Sequence, residues 1–381
     1  MGQNKMSKME KAITEIFRFK AGNVNEYHLM VHVCDPSLTY QGQVDALSDA
    51  YDTAIRQLPG AVAVFKRYFL SDAANQADTL LAMATECTDC ALSLVQQPPL
   101  DGTKIALWAY LLQGDVQTKT LPGGLFEVAH GAYHHLWTGG NTNQAANSEY
   151  QTRLLLNDYV MSLAQEGCTL SDHCVRTWFF VQDIDNKYAG MVKARNDVFV
   201  TQNLTDKTHF IASTGIGGRV ANPASFVQMD AYAVKGLQPG QMRYLYATDY
   251  LNRTSEYGVS FERGTMVDYG DRRQVFISGT ASINNRGEIM YLRDICKQTL
   301  RMWENVEALL REAGCSFDEV GQMIVYLRDI ADYHVVRSMF DERFPDKPKV
   351  FLNAPVCRPG WLIEMECMAV KAQAHPAFPA F

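Results

Sequence analysis

Two glutamates sit two positions apart in an otherwise apolar run near the end of the chain, VCRPGWLIEMECMAV over residues 356–370. The run reads as a strand, and alternate side chains of a strand share a face. Glu364 and Glu366 therefore point the same way. A buried charge is costly unless it is paired or used. Two carboxylates held close together and partly dried push one pKa up from its ordinary ~4.3 toward ~6–7. Such a carboxylic acid can deliver a proton at neutral pH, and its conjugate base can orient water. The bland alternative is a solvated sheet face, or arginine partners at an interface. Cys357 stands just upstream beside Arg358, whose charge would lower a thiol pKa. A thiol in that place more often packs or shapes a pocket.

The elements that must carry these residues recur along the chain. AVAVFKRYFLSDAANQADTLL from Ala61, VRTWFFVQDIDNKYAGMVKARNDVF from Val175 and GQMIVYLRDIADYHVVRSMFDERF from Gly321 each read strand, Asp-containing turn, amphipathic helix. The Asp before each helix suits an N-cap. IALWAYLL at Ile105, VQMDAYAV at Val227 and IEMECMAV at Ile363 form a second recurring strand. The pattern predicts an α+β fold of three tandem modules, 1–113, 114–238 and 239–381, with mixed sheets carrying helices on one face. The third module reads β-β-β-α-β-α-β-β. Its strands are expected near 243–250, 258–268, 272–279, 321–328, 349–356 and 361–371, and its helices near 290–313 and 332–343. Aligning the final strands sets Glu364 against Gln228 and Ala106, and Glu366 against Asp230 and Trp108. The acid pair is present once in three copies.

The 381 residues are 47% hydrophobic, enough for a large core, and the net charge is −7. A nucleic-acid partner, which needs a basic stripe, is not expected. No membrane span is expected, because no run of ~18 apolar residues occurs. The start, MGQNKMSKMEK, does not read as a signal peptide. The nine cysteines are scattered, and free thiols in a reducing cytoplasm are expected, including the CxxC of Cys87 and Cys90. ASTGIGGRV, with Gly215, Gly217 and Gly218, is not a dinucleotide loop because no helix opens after it, and it reads as a sharp turn. HGAYHHLW, with His130, His134 and His135, reads as a strand rather than a zinc site. No cofactor or metal is called for.

The third module resembles the RidA/YjgF superfamily, through SGTASI (278–283), LLREAGCSFDEV (309–320), VYLRD (325–329) and WLIEMECMAV (361–370). Adding TWFFVQDI (177–184), IASTGIGGR (211–219), YGVSFERGTMV (257–267) and CRPGWLIEME, the order is similar to the chorismatases, which carry a RidA-like C-terminal part. Members of the first family form trimers with ligand sites in clefts between subunits. The resemblance thus implies that one chain folds as a monomeric pseudo-trimer with unequal clefts. It implies an enzyme cleaving the enolpyruvyl ether of a small carboxylate such as chorismate, with Glu364 as proton donor and Glu366 beside it. Arg263, Arg358 and Arg219 would bind carboxylates, since a guanidinium offers two parallel hydrogen bonds. Tyr257 would orient the ligand, and the spacing of Cys357 from Glu364 fits the same pattern. Two alternatives stand beside this one: a RidA-type enamine or imine deaminase, and a non-catalytic small-ligand binder. The deaminases usually carry a carboxylate-binding arginine on the strand before the last, where this chain has Lys349 and Val350.

Overall fold

The final strands of the three repeats are apolar on both faces because both faces are covered. In Ile105–Gly114 the residues Ala106, Trp108, Tyr110 and Leu112 face a central core shared by the whole chain. Leu107, Ala109 and Leu111 alternate with them and pack under the helices of their own repeat. Val227–Lys235 divides the same way, with Tyr232 and Val234 central and Met229, Ala231 and Ala233 outward.

The computed structural model describes residues 10–84 and 90–381, without the side chains of Met83, Ala84 and Tyr257. Cys87 of the CxxC lies outside the described residues. The first sheet is built from β1 (Ala12–Phe19), β2 (Val24–Val33), α1 (Tyr40–Arg56), β3 (Ala61–Leu70), α2 (Ala73–Ala84), β4 (Ala91–Gln96) and β5 (Ile105–Gly114). The second has β6 (Gln117–Thr120), β7 (Phe126–His130), β8 (Tyr133–Thr142), α3 (Ser148–Gln165), the one-turn α4 (Leu170–His173), β9 (Cys174–Val181), α5 (Ile184–Thr201), β10 (Ala212–Gly217) and β11 (Val227–Lys235). The third has β12 (Met242–Leu245), β13 (Gly264–Asp268), β14 (Arg272–Ala281), α6 (Ile295–Glu312), β15 (Val320–Leu327), α7 (Tyr333–Arg343), β16 (Lys349–Asn353) and β17 (Ile363–Ala372).

The strand orders are β1-β2-β5-β3-β4, β6-β7-β8-β11-β9-β10 and β12-β13-β14-β17-β15-β16. They are one topology written three times, with the outermost strand missing from the first. In each sheet the last strand lies centrally, antiparallel to both neighbours, and one parallel pair closes the edge. The α+β expectation and the tandem repeat are met.

Several local expectations change. The second strand of the third repeat begins at Gly264 rather than 258, and the residues before it form a connection that includes the 3₁₀ turn Thr254–Tyr257. Helix α6 begins at Ile295 rather than 290, because Tyr291 and Arg293 take positive φ in the loop before it. The glycine run is a strand, β10, and not a turn: Gly217 is needed because a Cβ there would stand 2.7 Å from Pro355. HGAYHHLW is a hairpin, His130 ending β7 and His134 and His135 opening β8. Asp183 precedes α5 in a left-handed conformation and makes no side-chain cap; its carboxylate accepts from the side chains of Asn186 and Lys187 instead. Among the described residues no helix is long and apolar enough to cross a membrane.

Candidate active site

Sheets two and three meet along β10 and β14. Glu262 N donates to Ile211 O at 3.0 Å, and Ser213 N donates to Ser278 Oγ at 2.9 Å. A cavity of about 290 Å³ opens at this seam. From the second sheet it takes Tyr188 and Arg195 of α5 and Ser213 and Gly215 of β10. From the third it takes Arg263, Gly279, Cys357, Arg358, Trp361 and Glu364, with an apolar wall of Val259, Phe261, Ala281 and Ile283.

Glu364 is the second residue of β17, opposite Tyr326 on one neighbour and Ala281 on the other. It is 5% exposed. Burial raises its carboxyl from 4.5 to about 8, the negative charge of Glu366 adds to this, and Arg176 and Arg263 oppose it. At neutral pH Glu364 is therefore a buried carboxylic acid facing a cavity.

Glu366 is placed differently. It does not line that cavity. Arg176 Nη2 donates to it at 2.9 Å and Trp178 Nε1 at 2.8 Å, and Thr214 adds its hydroxyl. Arg67 of the first sheet lies 3.8 Å away. The arginine-paired alternative holds for this residue, and its direct contact with a ligand in the cavity is not supported by the geometry.

The cations converge only in part. Arg263 is buried, with Nη2 donating to Asn252 O at 3.0 Å and to Asn252 Oδ1 at 3.1 Å, and it lies 5.4 Å from the Phe261 ring centroid. Arg358 is half-buried, 4.8 Å from the ring centroid of Trp361. Arg219 is elsewhere: it is exposed and lines a separate cavity with Gln96, Asp183 and Asn353. Tyr257 ends the 3₁₀ turn next to Gly258, and its side chain lies outside the described residues. The Cys357 thiol lines the cavity, where burial and the Glu364 charge push it up to about 12. It stays a thiol and shapes the wall.

Sequence reasoning missed Arg195. It is 1% exposed and lies 6.0 and 5.8 Å from the ring centroids of Phe179 and Phe261. The available signal is that α5 buries Ile184, Met191, Ala194, Val198 and Phe199, and Arg195 shares that apolar face. Ser213 was missed for a different reason. The strand before the last that faces Glu364 belongs to the preceding repeat. By register Ser213, opposite Thr177, matches Lys349, opposite Met323. Lys349 itself is buried away from the cavity, with Nζ donating to Phe344 O at 3.0 Å.

The other copies lack the chemistry. Gln228 donates to Ser93 Oγ at 2.8 Å, and Ala106 is a core residue. Glu15 takes the register position of Arg263 and is held by His32 and by Lys349 N. Gly215 lines the cavity where the matching register positions of the other sheets carry Leu94 and Phe351.

Comparison with known proteins agrees with this architecture. The family model for endoribonuclease L-PSP matches residues 266–371. A RutC family protein of Pyrococcus abyssi is 36% identical over 100 residues, covering 26% of this chain and 78% of that protein. The 3-hydroxybenzoate synthase of Streptomyces hygroscopicus is 30% identical over 212 residues, which cover 50% of this chain and 62% of that enzyme, less than two thirds of its length. A chorismatase crystal structure superimposes with a TM-score of 0.64 at 17% identity, covering 81% of this chain and 92% of that one, which is a likeness of fold. Through the match that takes in most of its archaeal relative, the chain belongs to the RutC family, the RidA/YjgF or L-PSP group, with β13 to β17 carrying the kinship.

Proposed function

We propose that the protein is a chorismatase-like enzyme that cleaves the enolpyruvyl ether of a small dicarboxylate such as chorismate, in the cleft between its second and third modules. The modules are taken as residues 1–113, 114–238 and 239–381, arranged as an intrachain pseudo-trimer. The observation that carries the reading is a buried Glu364, its carboxyl pushed up to about 8 by burial, sharing one cavity with Arg195, Arg263 and Arg358. The sequence likeness to a 3-hydroxybenzoate synthase supports it.

An enol ether is polarised so that its terminal methylene carbon accepts a proton. Glu364 gives its proton to that carbon, and the ether oxygen shares the resulting positive charge. Water adds to the cationic carbon while the Glu364 carboxylate takes a proton from it. The hemiketal then collapses to pyruvate and a ring alcohol. A hydroxyl of the substrate can replace water as the nucleophile. Arg263 and Arg195 at the inner end and Arg358 nearer the rim offer guanidinium groups for two carboxylates. Trp361, Phe261 and Val259 give an apolar bed for a ring.

The test is incubation with chorismate and measurement of pyruvate. Pyruvate release is expected, falling about 10²–10⁴-fold in Glu364→Gln, the usual worth of a positioned general acid. Absence of both turnover and chorismate binding overturns the reading. A RidA-type deaminase would use the same acid, but Ser213 gives it no arginine anchor. Ammonia release from 2-aminoacrylate that depends on Glu364 would select it instead. A pure binder would keep its ligand affinity in Glu364→Ala.

A further inference from the structure

Glu364 comes from the third sheet, yet the contact that fixes its surroundings comes from the second. Thr214 of β10 is 1% exposed. Its hydroxyl donates to Glu366, accepts from Arg176 Nη2, and accepts from Gly279 N at 2.9 Å. A hydroxyl has one proton and two lone pairs, so all three places are filled.

Gly279 lies in a bulge of β14, where pairing to β17 shifts between Ile277 and Thr280. A bulge takes a backbone amide out of the ladder, and Thr214 accepts the one at Gly279. A Cβ at Gly279 would lie 2.2 Å from Glu364 Oε1. Hydroxyl, glycine backbone and acid thus form a contiguous stack across two sheets.

The cleft between the first and second sheets holds a natural comparison. Ser93, opposite Arg67, occupies the register position of Thr214, opposite Trp178. Strand β8 carries the same bulge, between the pairings of Met229 and Ala231. There Gly140 N donates to Asp230 Oδ1 at 2.7 Å, and the Ser93 hydroxyl accepts from Gln228, the counterpart of Glu364. In the Glu364 cleft the Thr214 methyl carbon stands on that side, 3.0 Å from where a Cβ at Gly279 would be. The branched side chain has a stiff χ1, and its hydroxyl is turned to Glu366.

We propose that Thr214 is a positioning residue: it pins the Gly279 bulge and occupies Glu366, so that the Glu364 carboxyl is placed against the glycine and keeps its proton for the ligand. This deepens the proposed function and rests on it. The full-length T214V and T214S variants test it with chorismate. T214V is expected to lower kcat at least tenfold with KM changed less than threefold. T214S, which keeps the hydroxyl but frees its rotation, is expected to hold kcat within threefold at pH 6. Its alkaline limb should move to lower pH, because a hydroxyl donated to Glu364 favours the carboxylate. Wild-type kcat in T214V overturns the proposal, and so does an equal loss in both variants, which would mark a packing role.

A second measurement does not need turnover. The pH dependence of unfolding, taken as the difference between proteins with Glu364 and with E364Q, reports the midpoint of Glu364. In the T214V background that midpoint is expected to move by at least half a unit. An unmoved midpoint overturns the positioning role even if chorismate is turned over. A moved midpoint with no chorismate turnover counts against the proposed activity alone.

Discussion

Glu364 is held in the form that burial favours, and this has a cost that can be measured. Its folded pKa, about 8, lies above the ordinary 4.5. As pH rises through that window the unfolded chain loses the proton while the folded chain keeps it. The unfolded state then binds fewer protons, so stability falls by ~1.36 kcal/mol per unit over the interval. Glu364→Gln removes this penalty. The variant is expected to be more stable than the parent by a few kcal/mol at pH 9 and by much less at pH 5, measured by urea unfolding. A pH-independent difference would show that Glu364 does not titrate in this way. The same sign governs the proposed reaction: the acid form donates, so kcat/KM is expected to hold below pH ~8 and fall above it. Glu364, Arg358 and Cys357 were legible because strand alternation and a family pattern meet in one short run, and Arg263 through the same family pattern in YGVSFERGTMV. The division of labour between Glu364 and Glu366 was not legible. Both lie on one face, and the partners that separate them, Arg176, Trp178 and Thr214, come from another sheet. Arg195 was hidden inside a helix read only for its periodicity.

At the scale of elements, the strand repeat was readable because both-sided burial writes long apolar runs, and the three final strands align residue for residue. What sequence could not give is where strands stop being strands. Residues 258–263 carry enough apolar and β-branched character to read as a continuation of β13, yet Gly258, Val259, Phe261 and Arg263 line the cavity. The β14 bulge is likewise silent in sequence, since SGTAS alternates like any strand. Its consequence is a specific expectation for Gly279→Ala. The added methyl would meet Glu364 Oε1 at 2.2 Å and its carboxyl carbon at 2.9 Å. Because φ at Gly279 is not positive, backbone strain is not the issue, and the collision falls on the Glu364 carboxyl. Overpacking of this kind costs about 1–3 kcal/mol, so the variant is expected to fold. Pyruvate release from chorismate should fall at least tenfold while the thermal transition stays cooperative. Activity at the parent level would show that the carboxyl moves freely and that its placement by the bulge is unimportant.

Across the whole molecule, the described residues of the first sheet contribute no side chain to the cavity, yet that sheet supplies the centre of the fold. Arg67 of β3 is fully buried, donating to Asp230 Oδ2 through Nε at 3.1 Å and Nη2 at 2.8 Å. It lies 3.8 Å from Glu366, and its guanidinium sits 4.8–5.3 Å from the ring centroids of Phe65, Trp108, Trp178 and Phe180. One residue thus touches an acid from each of the other two sheets. Asp230 and Glu366 occupy matching positions in β11 and β17, where the first sheet has Trp108. An exact threefold ring would bring three like groups to its axis, whereas unequal repeats can bring two acids and their arginines. Arg67→Met keeps much of the volume but leaves Asp230 buried with, among the described residues, Gly140 N and Gln228 as donors. Breaking a buried pair on one side costs about 3–5 kcal/mol. Arg67→Met is expected to lose that much in urea unfolding, and adding Asp230→Asn should recover most of it, because the stranded charge is gone. All three sheets contribute to one continuous core, so the loss should appear as a lower midpoint of a single transition. An early, separate unfolding of the first module would show instead that the sheets are held together by contacts other than this centre.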